Sequence, residues 1–200
     1  MRRIVAFESM TLDGVMQAPG RPDEDRRDGF AHGGWASPYH DAVSLEAAGG
    51  MGRADLLFGR RTYEDFAAFW PNQPEPNPFT TVLNESEKHV ASTTLTEPLP
   101  WVNSTLLTGD AGDTVAELKA QPGNDLVVLG SGDLVRTLRR CDLIDEYVLL
   151  IHPLVLGSGR RLFADGDPYA SLHLVTSVTT TTGVVIATYR PGTRPAEQTA

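Results

Sequence analysis

The chain has 200 residues, 40% of them hydrophobic and 22% charged, with a net charge of −9, enough for one well-buried α/β domain and short for two. The acidic balance argues against nucleic acid as a partner, and no window approaches the roughly 18 apolar residues of a membrane span. A single cysteine, Cys141, excludes an internal disulfide framework and a cysteine-built zinc site, and the spacing of His32, His40 and His89 suits no metal.

Residues 3–7 form an apolar run suited to a buried first strand; it ends at Glu8, too short for a secretory signal, and points to a cytoplasmic protein. Asp13-Gly14 marks a tight turn. From 17 to 38 the chain is rich in Gly, Pro, Asp and Arg without any persisting period, which predicts a long loop, either an active-site cover or disordered. Ser37-Pro38 carries the signals of a helix start, with the helix running to about Gly50. A strand over 55–58 leads into a helix over 62–69, and Pro71, Pro74, Pro76 and Pro78 predict a stiff connector. Strands follow over 88–91 and 105–108, then a helix over 113–119. A strand over 126–129, a helix over 133–140 and a buried strand over 146–151 come next. The segments 172–180 and 184–189 read as an antiparallel hairpin around Thr182-Gly183.

This order predicts an α/β protein of three layers. Its sheet is mixed and mostly parallel, with about eight strands, helices on both faces and a C-terminal antiparallel hairpin. Residues 1–190 form the one expected domain and 191–200 a flexible tail. The apolar run over 147–156 and the hairpin edge make a homodimer the expected assembly.

Two strands stop in turns that suit an anion. Leu56-Leu57-Phe58 runs into Gly59-Arg60-Arg61-Thr62, and Leu126-Val127-Val128-Leu129 runs into Gly130-Ser131-Gly132, each followed by a helical pattern. The N–H groups at a helix start, with the positive end of its dipole, favour negative charge. Gly130-Ser131-Gly132 alone is an incomplete dinucleotide fingerprint, because the third glycine would fall at Val135, and a tight turn would explain it equally well. The first turn adds a hydroxyl and two guanidinium groups at a comparable strand end. Arginine forks suit a 2′-phosphate, which favours NADP over NAD.

The succession Ser-Met-Thr-Leu-Asp-Gly, Gly-Arg-Arg-Thr-Tyr-Glu, Lys88-His89-Val90-Ala91-Ser92-Thr93, Gly-Ser-Gly, Asp142-Leu143-Ile144-Asp145-Glu146 and the segment from His152 to Phe163 resembles the dihydrofolate reductase-like superfamily. Within it, the chain is similar to the reductase domain of bacterial riboflavin biosynthesis proteins and its stand-alone relatives, over residues 3–189. The resemblance implies NADPH as cofactor, held by Gly59, Arg60, Arg61 and Thr62 at its phosphates, by Ser92 and Thr93 at the adenosine end, and by Gly130, Ser131, Gly132, Asp133 and Leu134 along the pyrophosphate. Ala6 and residues 10–14 match the wall beside the nicotinamide.

On the substrate side the resemblance implies a carboxylate on the helix after the long loop. Asp41 lies nearest that place, although an acidic residue in a helix's first turn is also what the dipole alone selects. Asp13 is the alternative acid, explained equally by its turn. Trp35, His152 and Arg160 are candidates for substrate contact, each with a plain alternative in packing or a solvated turn. The implied activity is reduction of a small nitrogen heterocycle or ribosylamino-pyrimidine, resembling 5-amino-6-(5-phosphoribosylamino)uracil reductase. The alternatives are a dihydrofolate or pteridine reductase and a non-catalytic nucleotide-binding protein of the same fold.

Overall fold

The computed structural model describes residues 1–51, 53–73 and 78–192. Its strands are β1 (Ile4–Thr11), β2 (Asp55–Gly59), β3 (Lys88–Ala91), β4 (Ser104–Leu107), β5 (Leu126–Leu129), β6 (Glu146–His152), β7 (Leu172–Thr179) and β8 (Val185–Pro191), and its helices are α1 (Ala42–Gly49), α2 (Arg60–Phe69), α3 (Pro78–Glu85), α4 (Ala111–Ala120) and α5 (Gly132–Arg140). The strands join one sheet in the order β4-β3-β2-β5-β1-β6-β8-β7. The pairs from β4 to β6 are parallel, and β8 runs antiparallel to both β6 and β7.

The buried apolar runs explain the centre of the sheet. Leu56, Leu57 and Phe58 of β2 and every residue of β5 are buried, as a parallel strand covered on both faces requires. Alternate residues serve opposite layers. Ile4, Ala6, Leu57, Leu126 and Val128 pack against Val115 and Leu118 of α4 and Leu134, Val135 and Leu138 of α5. Leu56, Phe58, Val127 and Leu129 pack against Tyr63 of α2 and Leu83 of α3. Phe7 and Val148 complete that second face against Val43 and Ala47 of α1.

Three local expectations are corrected. β1 does not stop at residue 7 but continues to Thr11, because β6 pairs with it as far as Thr11 beside His152. The helix expected from Ser37 begins at Ala42: Ser37–Tyr39 is a separate 3-10 turn, His40 is extended, and Asp41 caps α1 with its side chain accepting from the Ser44 N–H. The expected stiff connector gives way at its last proline, Pro78, to α3, a helix the sequence did not suggest, whose Leu83 is fully buried and whose Phe79 meets the Trp70 ring edge to face. Pro74 and Pro76, like residues 193–200 of the expected tail, lie outside the described residues.

The apolar run of β6 is enclosed between β1 and β8, so the outer boundary on that side is β7. Leu174, Val175 and Val178 of β7 are each about half exposed. Among the described residues, no helix is long and apolar enough to cross a membrane.

Candidate active site

The two marked turns lie side by side because β2 and β5 are neighbours. β2 ends at Gly59 and α2 begins at the next residue. β5 ends at Leu129, and Gly130 and Ser131 both turn left-handed, at φ 58° and 62°, before α5 begins at Gly132. A left-handed serine is unusual, and its place is secured across the strands: the Gly59 N–H donates to Ser131 Oγ at 3.0 Å. That bond clasps the two turns together. It also takes the serine hydroxyl away from capping its own helix.

The other capped helices show what is missing here. Asp41 caps α1 and Asp110 caps α4, each by accepting backbone N–H groups. Neither α2 nor α5 has a side-chain cap. The first N–H groups of a helix need a partner from outside it, and at α2 and α5 they open on the same cleft, of about 1200 Å³.

Charge in that cleft reverses the sign of the chain. Among the described residues, eight arginines and six acidic residues line it, in a protein of net charge −9. Asp133 in the first turn of α5 would oppose an anion, but Arg160 holds it at 2.9 Å and Arg136 at 3.3 Å. Arg60 faces Glu64 at 3.5 Å. Arg61 is exposed and, among the described residues, has no ion-pair partner.

The long loop is an ordered wall of the cleft, to which it contributes Met16 to Arg21 and Glu24 to Arg27. Its base is pinned by the Gln17 side chain, which donates to the carbonyls of Asp25 and Arg27 and accepts the Arg160 N–H. Arg21 pairs with Asp65 of α2 at 2.5 Å and lies over the Phe69 ring. Glu24 accepts the N–H groups of Gly20 and Arg21; burial, the largest influence, leaves its carboxyl above the usual range.

Other candidate residues stand beside the cleft rather than in its wall. Trp35 is buried and donates its indole N–H to the Gln17 carbonyl at 2.7 Å. Its ring meets that of His152 edge to face at 5.0 Å. His152 is buried with Nδ1 3.0 Å from the Leu150 carbonyl, and burial holds the imidazole below its ordinary pKa. These two residues join the loop to β6. Asp13 accepts from the Thr11 hydroxyl and from the Leu156 and Gly157 N–H groups; the Thr11 bond foremost keeps its carboxylate below the usual range. Asp41 is tied to Ser44 and Thr181. Ser92 caps the turn after β3 by accepting from Thr94 and Leu95; Thr93 follows it, and Ala91 is the cleft residue there. Ala6 is fully buried in the layer of α4 and α5, whereas Phe7, Glu8 and Ser9 line the cleft. Gly59 to Thr62, Gly130 to Leu134 and Arg160 are brought together in its wall.

Sequence reading missed Glu8, taking it for the end of a strand. It is 2% exposed, and burial pushes its carboxyl well above the ordinary carboxylate range. The signal was available in the alternation of Ile4, Ala6, Glu8 and Met10, which carries a charged residue onto a buried face. Among the described residues, no group of three or more His, Cys, Asp or Glu is placed to hold a metal ion.

The family model for the RibD C-terminal domain matches residues 2–186. The chain belongs to the RibD C-terminal domain family. The matched span includes both strand-end turns, the loop and β6, so every wall of the cleft falls inside the RibD C-terminal domain. The chain is 30% identical over 140 residues to the uncharacterized protein YyaP of Bacillus subtilis (strain 168), covering 67% of this chain and 72% of that one. A structure described as a putative riboflavin biosynthesis protein from Shewanella sp. PV-4 superposes with a TM-score of 0.69 at 23% identity, covering 96% and 99% of the two chains. Dihydrofolate reductase from Enterococcus faecalis, complexed with NADP(H) and RAB-propyl, gives 0.60 at 15% identity, covering 96% and 97%. The fold is thus dihydrofolate reductase-like.

Proposed function

We propose that the chain is an NADPH-dependent reductase of a small, flat nitrogen heterocycle or ribosylamino-pyrimidine. The observation that carries this reading is the pair of uncapped helix starts, clasped by Gly59 and Ser131 and opening on one arginine-rich cleft. Two adjacent anion sites suit a dinucleotide better than a single phosphate. The cleft volume of about 1200 Å³ also exceeds the roughly 300–1,000 Å³ typical of sites for one small ligand, leaving room for a second molecule. The reading is supported by family membership and by the NADP(H) bound to the similarly folded E. faecalis enzyme.

The backbone N–H groups of α2 and α5 would hold the pyrophosphate, and Arg61 would take the 2′-phosphate. Beyond these turns the wall becomes apolar, with Phe7 and Leu150 on the sheet and Leu45 and Ala48 on α1, suited to a flat ring. NADPH, when bound, supplies the hydride. The loop over 16–36 excludes water from that end and orients the ring against the strand ends.

Titration with each dinucleotide, read by energy transfer from tryptophan to the reduced nicotinamide, tests the reading. Micromolar NADPH affinity with much weaker NADH binding is expected. Arg61→Ala should weaken NADPH by about 10- to 100-fold, the loss of roughly 1.5–3 kcal/mol from a charge-assisted bond, and leave NADH unchanged. Arg60→Ala should matter less, because Glu64 already engages Arg60. Failure of the wild-type protein to bind either dinucleotide rejects the proposal.

A further inference from the structure

Arg160 stands where the start of α5 meets the long loop. Its Nη2 donates to both oxygens of Asp133, at 2.9 and 3.1 Å, and Asp133 lies in the first turn of α5. The guanidinium is thus held beside the N–H groups that open the helix. Its backbone faces the other way: the N–H donates to Gln17 Oε1 at 3.0 Å, and the carbonyl accepts the Met16 N–H at 2.9 Å. Gln17 in turn donates to the carbonyls of Asp25 and Arg27. The base of the loop also touches the turn directly, since a Cβ on Gly132 would collide with Met16 Sδ. One residue therefore joins the start of α5 to the loop by hydrogen bonds at every step.

The helix dipole explains an acid in the first turn of α5, but it does not call for the arginine. The Asp133 side chain is 57% exposed and that of Arg160 34%, and an ion pair so open to water adds little to stability. The pair acts instead on the cleft. A carboxylate at this turn repels a phosphate, a guanidinium attracts one, and while the two are bonded each cancels the field of the other. Arg136, three residues along α5, also reaches Asp133, at 3.3 Å, so the carboxylate keeps a cation if Arg160 turns away. Phosphate oxygens accept the parallel N–H bonds of an arginine as a carboxylate does. A phosphate at the start of α5 would therefore meet Arg160 within a rotation of its side chain.

We infer that Asp133 competes with the pyrophosphate of the dinucleotide for Arg160, and that this exchange sets how tightly both dinucleotides bind. The inference rests on the dinucleotide reading above. In the free protein Arg160 belongs to Asp133. With cofactor bound, Arg160 turns to the pyrophosphate at the start of α5, while its backbone stays bonded to Met16 and Gln17 and Arg136 retains Asp133. Affinity is lowered by the fraction of molecules in which Asp133 holds the guanidinium. Because the same residue carries the base of the loop, Arg160 makes the pyrophosphate an anchor of the cover, which closes most firmly on a cleft already holding its cofactor. Arg61 differs in kind: it answers to the 2′-phosphate, which NADH lacks.

Asp133→Asn removes the competitor, and Arg160→Ala removes what is competed for. Each variant is titrated with NADPH and with NADH by the same energy transfer. Asp133→Asn should bind both about three- to tenfold more tightly, the effect of removing one like charge a few ångströms away. A gain of this kind is not open to a variant that merely loosens the fold. Arg160→Ala should weaken both about tenfold or more, and in neither variant should the preference for NADPH over NADH change, in contrast to Arg61→Ala. Hydrogen exchange read by mass spectrometry gives the second measure: saturating NADPH should protect residues 17–27 in the wild-type protein, and much less in Arg160→Ala at equal saturation. Unchanged or weaker binding by Asp133→Asn, an effect confined to NADPH, or equal loop protection in Arg160→Ala overturns the exchange while the cofactor reading stands. Absence of NADPH and NADH binding to the wild-type protein overturns both.

Discussion

The carboxylate of Asp41 is engaged on two fronts. One oxygen accepts the Ser44 N–H at 2.8 Å, which caps α1, and the other accepts the Thr181 N–H and hydroxyl, each at 2.7 Å, from the β7–β8 turn. The Thr181 hydroxyl foremost lowers its pKa from 3.8 to about 2. A folded-state pKa below the unfolded one means that the contribution to stability is complete above pH about 4 and is lost as the pH falls toward 2. Asp41→Ala should therefore lower the melting temperature at pH 7 by about 2–4 °C, a difference that shrinks in acid, while NADPH affinity is retained. Thermal unfolding of both proteins across pH 2–7 checks this. The sequence marks Asp41 as an acid at a helix start, which is a local property. Its second partner lies 140 positions away and becomes visible only when the hairpin packs on α1. Glu8 shows the converse: its raised pKa depends on burial among residues distant in sequence, Leu149 of β6 in register beside it, and its neighbours in sequence carry only the faint signal of alternation.

At the scale of elements, the two strand-end turns were readable because everything that makes them is contiguous: a buried run, glycine, then a helix. Their adjacency was not local, and it comes from β5 inserting between β2 and β1. α3 escaped detection because the prolines before it describe a linker, while the burial of Leu83 against Trp101 and Phe58 gives the short helix its place. The segment over 17–38 was readable as a long loop, either a cover or disordered, and the structure shows it ordered. Its order comes from Val15, Phe30 and Trp35 gathering into a small core against Leu154 and Leu156, residues distant in sequence. Gly159 is the weak point of that assembly. It adopts φ +117°, and a Cβ there would come within 2.7 Å of both Phe30 and Val15, whose side chains are buried. Gly159→Ala should cost about 1–3 kcal/mol and raise hydrogen exchange across 17–36 more than in α4. Mass-resolved exchange together with denaturant unfolding measures both, and uniform protection would show that the loop does not depend on this contact.

For the whole molecule, the opposition between an acidic chain and an arginine-rich cleft determines how an anionic ligand approaches. A net charge of −9 repels a dinucleotide at long range, whereas the arginines around the turns attract it over the last several ångströms. Salt screens charges separated by more than the Debye length of about 10 Å at 0.1 M, so modest ionic strength relieves the repulsion first and higher salt weakens the contacts themselves. The 2′-phosphate of NADPH adds about −1.5 to −2 charge near Arg61, an exposed side chain free of an ion-pair partner among the described residues, which screening reaches readily. Raising salt from about 0.1 to about 0.5 M should weaken NADPH by about tenfold and NADH by only about two- to threefold. Arg61→Ala should bring the NADPH salt response down to that of NADH, because the difference between the two ligands then has no guanidinium to act on. Equal salt responses of the two dinucleotides in the wild-type protein would place the 2′-phosphate away from this turn.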